Sequence, residues 1–229
     1  MSDIILEVKN LSVRFDGNKV IDDLSFDLRE KDNLVILGPN GAGKTVLLKT
    51  LLGIFPFQGN IRWRENIKIG YVPQKFLADK NIPLNIEEFF KFKKINSEEI
   101  AAVLKSVGIK DKTIFSKRIG ALSSGQLQRI LIAWALIDNP DILLFDEPTA
   151  GIDIEGEETI YNLLSQIEKE RDLTIILITH DLSVVYKFAD SVLCLNKKAV
   201  CQGPPQEVLK LENLNQLYGG EIKFYQHGH

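Results

Sequence analysis

A chain of 229 residues, 45% hydrophobic and 26% charged, carries enough apolar material for a sizeable core and excludes disorder as its main theme. The net charge of −3 shows no basic excess, so bulk electrostatics do not point to nucleic acid. The longest unbroken apolar run, ILIAWALI at Ile130 to Ile137, is far short of the ~18 residues of a spanning helix, and MSDIILEVKN at the start lacks a signal-peptide pattern. We expect a chain that is soluble by itself.

Ile4 to Phe15 alternates and is rich in Ile, Leu and Val, and Gly17-Asn18 is a turn signal before strands at Lys19 to Ile21 and Leu24 to Leu28. These segments predict an antiparallel sheet. Phe15 could stack on a base, although an aromatic in a strand more often belongs to the core, and the residues alone favour the core.

LVILGPNGAGKT, Leu34 to Thr45, is the stretch around which the chain is organised. An apolar strand, Leu34 to Leu37, stops at Gly38, the loop Pro39, Asn40, Gly41, Ala42 and Gly43 turns its N–H groups inward, and a helix starts near Gly43. The spacing predicts a phosphate cradle. Its glycines let the backbone approach closely, Lys44 would reach the β- and γ-phosphates, and the Thr45 hydroxyl would coordinate Mg²⁺. Thr45 to Leu52 reads as helix with Gly53 as its stop, and strands follow at Asn60 to Trp63 and Lys68 to Val72.

From Pro73 the texture changes. Gln74 to Asp138 holds helical patterns, including Ile86 to Phe92 and Glu98 to Val107, with almost no strand signal, and predicts an inserted helical lobe. Its last helix opens with LSSGQ, where Ser123 and Gln126 fit a capping box and Leu127, Ile130, Leu131 and Trp134 follow at helical spacing. The same helix start presents serine, glycine and N–H groups suited to a phosphate.

ILLFDEP returns to α/β texture and delivers two carboxylates at a strand end. Asp146 is placed to hold Mg²⁺ or its water, and Glu147 to act as general base on an attacking water. A structural helix is expected over Gly156 to Glu170, with Glu155, Glu157 and Glu158 at its start. The strand Thr174 to Thr179 delivers His180 and Asp181 at its C-terminal end, the edge where open α/β sheets place ligands, and His180 is assigned a γ-phosphate contact. Cys194 and Cys201 lie in strand-like apolar surroundings and read as buried small hydrophobes rather than a disulfide or metal pair, which suits a reducing compartment.

GPNGAGKT, LSSGQ, LLFDEP and ITHD in this order resemble the ATPase subunit of an ATP-binding cassette transporter, over nearly the whole length. The resemblance implies an α/β fold: a P-loop nucleoside triphosphate hydrolase core over residues 1–73 and 139–229, with an antiparallel β subdomain and an inserted α-helical subdomain over 74–138. It implies ATP and Mg²⁺ as cofactors. Phe15 then resembles the adenine-stacking aromatic, Gln74 the glutamine that senses Mg²⁺ and the membrane partner, and Asp153 the inter-subunit aspartate, while Glu147 and His180 match the base and the switch histidine. Two cassettes would sandwich two ATP molecules, with Ser123, Ser124, Gly125 and Gln126 of one chain facing the phosphate loop of the other, so a homodimer is implied.

Two departures stand out. Ser124 replaces a usual glycine, and Val46 replaces a usual hydroxyl residue, which removes a hydrogen bond to the α-phosphate; a lost contact costs about 1 kcal/mol. Weakened turnover is the expectation.

TAGID, THDLSVVYKFAD, SVLCLN and VCQGPPQEVL, with a tail ending His227-Gly228-His229, are similar to the zinc, manganese and iron importer branch. That likeness implies a peripheral protein at the cytoplasmic face of the membrane, a separate transmembrane permease subunit, and an extracytoplasmic metal-binding protein in the full transporter. The rival readings are a cassette for another substrate or a soluble, non-transport cassette ATPase. The soluble kind resembles chains with a long coiled-coil insertion or two tandem cassettes, and this sequence has neither.

Overall fold

The computed structural model describes residues 4–76 and 83–219, and alternation of apolar and polar residues builds its first sheet. The chain divides into two units, one made of the chain up to Glu65 and from Ile176 onward, the other of Asn66–Ile175.

In the first unit, β1 (Ile4–Phe15) pairs antiparallel with β2 (Asn18–Arg29) and with β4 (Gln58–Trp63), in the order β2-β1-β4. The apolar positions Leu6, Val8, Leu11, Val13, Ile21, Leu24, Phe26 and Leu28 are buried, as strand periodicity requires. The sequence pattern suggests two short strands after the Gly17-Asn18 turn, whereas the structure has one strand of 12 residues. Asp23, with φ of 56°, absorbs the irregularity, and the backbone N–H of Asp22 donates to Lys197 O instead of to the neighbouring strand. A bulge thus accounts for the polar Asp22-Asp23 interruption.

The same unit holds β3 (Asn33–Leu37), buried along its whole length and parallel to β8 (Ser191–Asn196), which in turn pairs antiparallel with β9 (Lys198–Gly203). Near-continuous Leu, Val and Ile in β3 suit a strand covered on both faces. Helix α1 (Lys44–Leu51) follows the glycine loop and stops at Gly53, φ 73°. Cys194 and Cys201 correct the reading of two separate thiols: they form a disulfide with Cα atoms 4.9 Å apart. Hairpin register is the reason, since Cys194 on β8 lies directly opposite Cys201 on β9, a separation within the range a disulfide spans.

In the second unit, β5 (Ile69–Val72) runs parallel to β6 (Ile142–Asp146). Between them come α2 (Ile86–Lys91), α3 (Ser97–Ser106), 3-10 turns at Lys112–Ser116 and Ile119–Ala121, and α4 (Ser124–Leu136). Asn85 and Asn96 each form a complete capping box with Glu88 and Glu99, so both short helices have their first amides satisfied locally. Phe89 packs on Trp134 with ring centroids 4.2 Å apart, tying α2 to α4. Helix α5 spans Ile154–Arg171. It begins two residues before the expected Gly156, because the Asp153 side chain accepts from Gly156 N at 3.0 Å and supplies the N-cap. The fully buried β7 (Thr174–Ile178) leads out of this unit. Helices α6 (Leu182–Phe188), α7 (Pro205–Val208) and α8 (Leu211–Tyr218), all of the first unit, complete the described chain. The architecture is the α/β class expected, with its antiparallel sheet and its run of helices.

Candidate functional site

The phosphate-type loop is shaped by what lies beneath it. A Cβ on Gly38 would sit 2.0 Å from Leu195 O, so backbone meets backbone where β3 ends. Gly43, with φ of 100°, opens α1 in the left-handed conformation, and no side chain caps the helix. No acidic residue stands in the first turn of α1, which leaves the positive end of the helix suited to an anion. Lys197 N donates to Ala42 O at 3.0 Å and pins the loop to the β8–β9 turn. Lys44, 6% exposed, donates from Nζ to Gly38 O at 2.8 Å and to Pro39 O at 3.2 Å; burial of an ammonium without such partners would be costly. Asn40 and Gly41 are exposed, and Pro39, Thr45 and Val46 are half-buried.

Phe15, at the C-terminal end of β1, is half-buried and not in the core. It meets Phe55 edge to face, with ring centroids 5.0 Å apart and planes at 81°.

In the second unit, strand register explains the carboxylate cluster. Val72 pairs with Phe145, so just past the ends of the two parallel strands Gln74 comes opposite Glu147. Gln74 Nε2 donates to Glu147 Oε2 at 2.9 Å. Glu147 has φ of 46°, and a non-glycine residue in the left-handed region costs about 1–3 kcal/mol, a strain that clusters at working sites. Asp146 is 2% exposed. Tyr71 hydrogen bonds to it, and burial first, then the Asp146 charge and that hydrogen bond, push the phenol up to about 12. The hydroxyl therefore stays protonated and able to donate to the carboxylate.

Ser123 and Gln126 form the expected capping box on α4, with Gln126 N donating to Ser123 Oγ at 3.2 Å and Ser123 N to Gln126 Oε1 at 3.3 Å. Ser123 and Ser124 are exposed, Gly125 is half-buried, and a Cβ added to Gly125 would meet nothing within 4 Å. Asp153 is exposed on the N-terminus of α5. His180 is exposed just past β7, after a buried Thr179 whose Oγ1 accepts from Asp181 N at 3.1 Å. His227 and His229 lie outside the described residues. Among the described residues no group of three or more His, Cys, Asp or Glu is arranged to hold a metal ion.

The sequence reading did not single out Tyr71 or Phe55. Both are aromatics within two or three residues of an assigned element end, which is the available signal, but each partner lies far away in sequence.

The ABC transporter family model matches residues 21–150, more than half of the chain. The chain belongs to the ABC transporter family. A model of an AAA domain also matches residues 118–185 of this cassette. The cassette is 38% identical over 231 residues to a zinc import ATP-binding protein, ZnuC, of Buchnera aphidicola, covering 98% of this chain and 96% of that protein. The ZnuC of Haemophilus influenzae is 34% identical, with 98% and 85% covered. Among solved structures, CbiO1 of Clostridium perfringens, part of the ABC transporter complex CbiONQ, superposes with a TM-score of 0.77 at 29% identity, covering 93% of the cassette and 94% of that chain.

Proposed function

We propose that this cassette binds and hydrolyses ATP to drive import of a divalent metal, zinc or manganese, through a separate membrane subunit. The observation that carries the metal is the full-length similarity to zinc import ATP-binding proteins. Among the described residues no helix is long and apolar enough to cross a membrane, so the path for the ion is assigned to a transmembrane permease, with the cassette as a peripheral subunit at the cytoplasmic face. An extracytoplasmic metal-binding protein and a second copy of the cassette complete the proposed transporter. Residues 74–138 are proposed as its inserted helical lobe, the part that meets the permease together with Gln74.

Within the site, the loop Gly38 to Gly43 and the N-terminus of α1 hold the phosphates, Lys44 adds charge, and Phe15 stacks on the base. Thr45, Gln74 and Asp146 are the ligands proposed for Mg²⁺. Their hydroxyl, amide and carboxylate oxygens are the hard donors this ion takes, and Gln74 directs its amide nitrogen to Glu147, which keeps the amide oxygen for another partner. The ion when bound supplies charge neutralisation between phosphate groups. Glu147 accepts the proton of the attacking water, and His180 contacts the γ-phosphate. Ser123, Ser124, Gly125, Gln126 and Asp153 serve the nucleotide of the partner cassette.

Uptake of radioactive zinc and, separately, manganese by cells lacking this gene tests the reading. The wild-type gene restores zinc or manganese uptake, and Lys44→Ala does not. Normal uptake of both ions by the Lys44→Ala strain, or by the strain lacking the gene, overturns metal import.

A further inference from the structure

The assigned base-stacking ring and the phosphate loop are joined by a short stretch of one unit. Helix α1 begins at Lys44, ends at Leu51 and is stopped at Gly53, with Gly53 N donating to Thr50 O and Ile54 N to Lys49 O. These two bonds fix the direction in which the chain leaves the helix. Phe55 follows at once, and its ring meets Phe15 at 5.0 Å between centroids with the planes at 81°. Lys49, in the last turn of α1, holds its Nζ 5.9 Å from the centroid of the Phe55 ring, a weak attraction that adds a second tether from the helix. A single edge-to-face contact occupies at most one face of Phe15, and Phe15 is only half-buried, so the ring keeps a face that Phe55 does not cover.

We propose that Phe55 is a positioning residue for the nucleotide base: by packing against Phe15 it fixes the plane of that ring relative to the phosphate loop through α1. A stacking ring free to rotate about χ1 and χ2 would lose part of its attraction to side-chain entropy, which an edge-to-face neighbour removes beforehand. The proposal rests on the assignment of Phe15 to the base.

The test measures binding of ATP and of inorganic tripolyphosphate, which has no base, to the full-length chain and to Phe15→Ala, Phe55→Ala, Phe55→Tyr and the double alanine variant. Phe55→Ala weakens ATP binding about three- to tenfold, the span expected for one aromatic pair, leaves tripolyphosphate binding unchanged, and is rescued by Phe55→Tyr. The double variant loses no more than Phe15→Ala alone, since Phe55 acts only through Phe15. If Phe15→Ala binds ATP normally, the base assignment falls and the proposal with it. If Phe15→Ala weakens ATP binding and Phe55→Ala does not, the base assignment stands and the proposal alone is overturned. Equal losses for ATP and tripolyphosphate, or additive losses in the double variant, also overturn it.

Discussion

Glu147 sits at a point of competing demands. Its left-handed backbone and its hydrogen bond from Gln74 at 2.9 Å hold the carboxylate in one place, and a base that must accept a proton from water gains from being held there. Glu147→Gln keeps size and shape but removes the proposed proton acceptor. We expect ATP binding to persist and steady-state hydrolysis to fall at least about 100-fold, within the range that general-base removal produces, as read by phosphate release. Hydrolysis at the parent rate would remove Glu147 from the chemistry. A second prediction concerns Asp32, whose carboxyl is raised above its ordinary value chiefly by burial and further by the Asp190 carboxylate. A raised carboxyl favours the folded state at pH below the unfolded value and loses that contribution as pH climbs through the folded value. Asp32→Asn should therefore raise the melting temperature at pH 7, with the gain shrinking towards pH 4 in a thermal scan. Asp146 and Glu147 are legible in the sequence as strand-end carboxylates, and Gln74 through the family resemblance. Their pairings are not, because Gln74 meets Glu147 across 73 residues of chain, and only the register of β5 on β6 decides which side chains face each other.

At the scale of elements, local signals carried the most. Capping boxes, the glycine stop after α1 and the apolar strands each depend on a few adjacent residues, and Ser123 with Gln126 forms the box that its spacing expects. The misjudged elements are those where a distant partner decides. The Asp22-Asp23 pair resembles a break between strands until Lys197 O takes the Asp22 amide, and Cys194 and Cys201 resemble ordinary strand residues until the β8–β9 hairpin sets them opposite each other. The same dependence gives a prediction for the loop. Gly38 and Gly41 look interchangeable in the motif, yet a Cβ on Gly38 would meet Leu195 O at 2.0 Å, while one on Gly41 would meet nothing within 4 Å. Gly38→Ala forces two backbones apart and should lower stability by about 1–3 kcal/mol or more, as overpacking does, and weaken ATP binding with it. Gly41→Ala bears only the strain of φ at 79°, on the order of 1 kcal/mol. Urea denaturation of the two variants separates the cases, and equal losses would show that the Leu195 contact does not matter.

For the whole molecule the open matter is whether one chain suffices. The start of α4 exposes Ser123 and Ser124 and leaves space for a Cβ at Gly125. The proposal assigns it to the nucleotide held by a second cassette. Gly125→Asp is a clean probe of that assignment: a Cβ at this position meets nothing within 4 Å beyond its own helix, and a carboxylate in the first turn of a helix is stabilising by about 0.3–1 kcal/mol, so the fold should hold. Its charge, however, opposes a triphosphate brought to the same place. We expect Gly125→Asp to bind ATP as the parent does when the chain is dilute and monomeric. Placed in the Glu147→Gln background, where slow hydrolysis should let ATP hold two cassettes together, it should abolish the ATP-dependent doubling of mass seen by light scattering. Loss of ATP binding by the monomer would instead put Gly125 in the chain's own site, and doubling that survives the substitution would remove the start of α4 from the dimer contact.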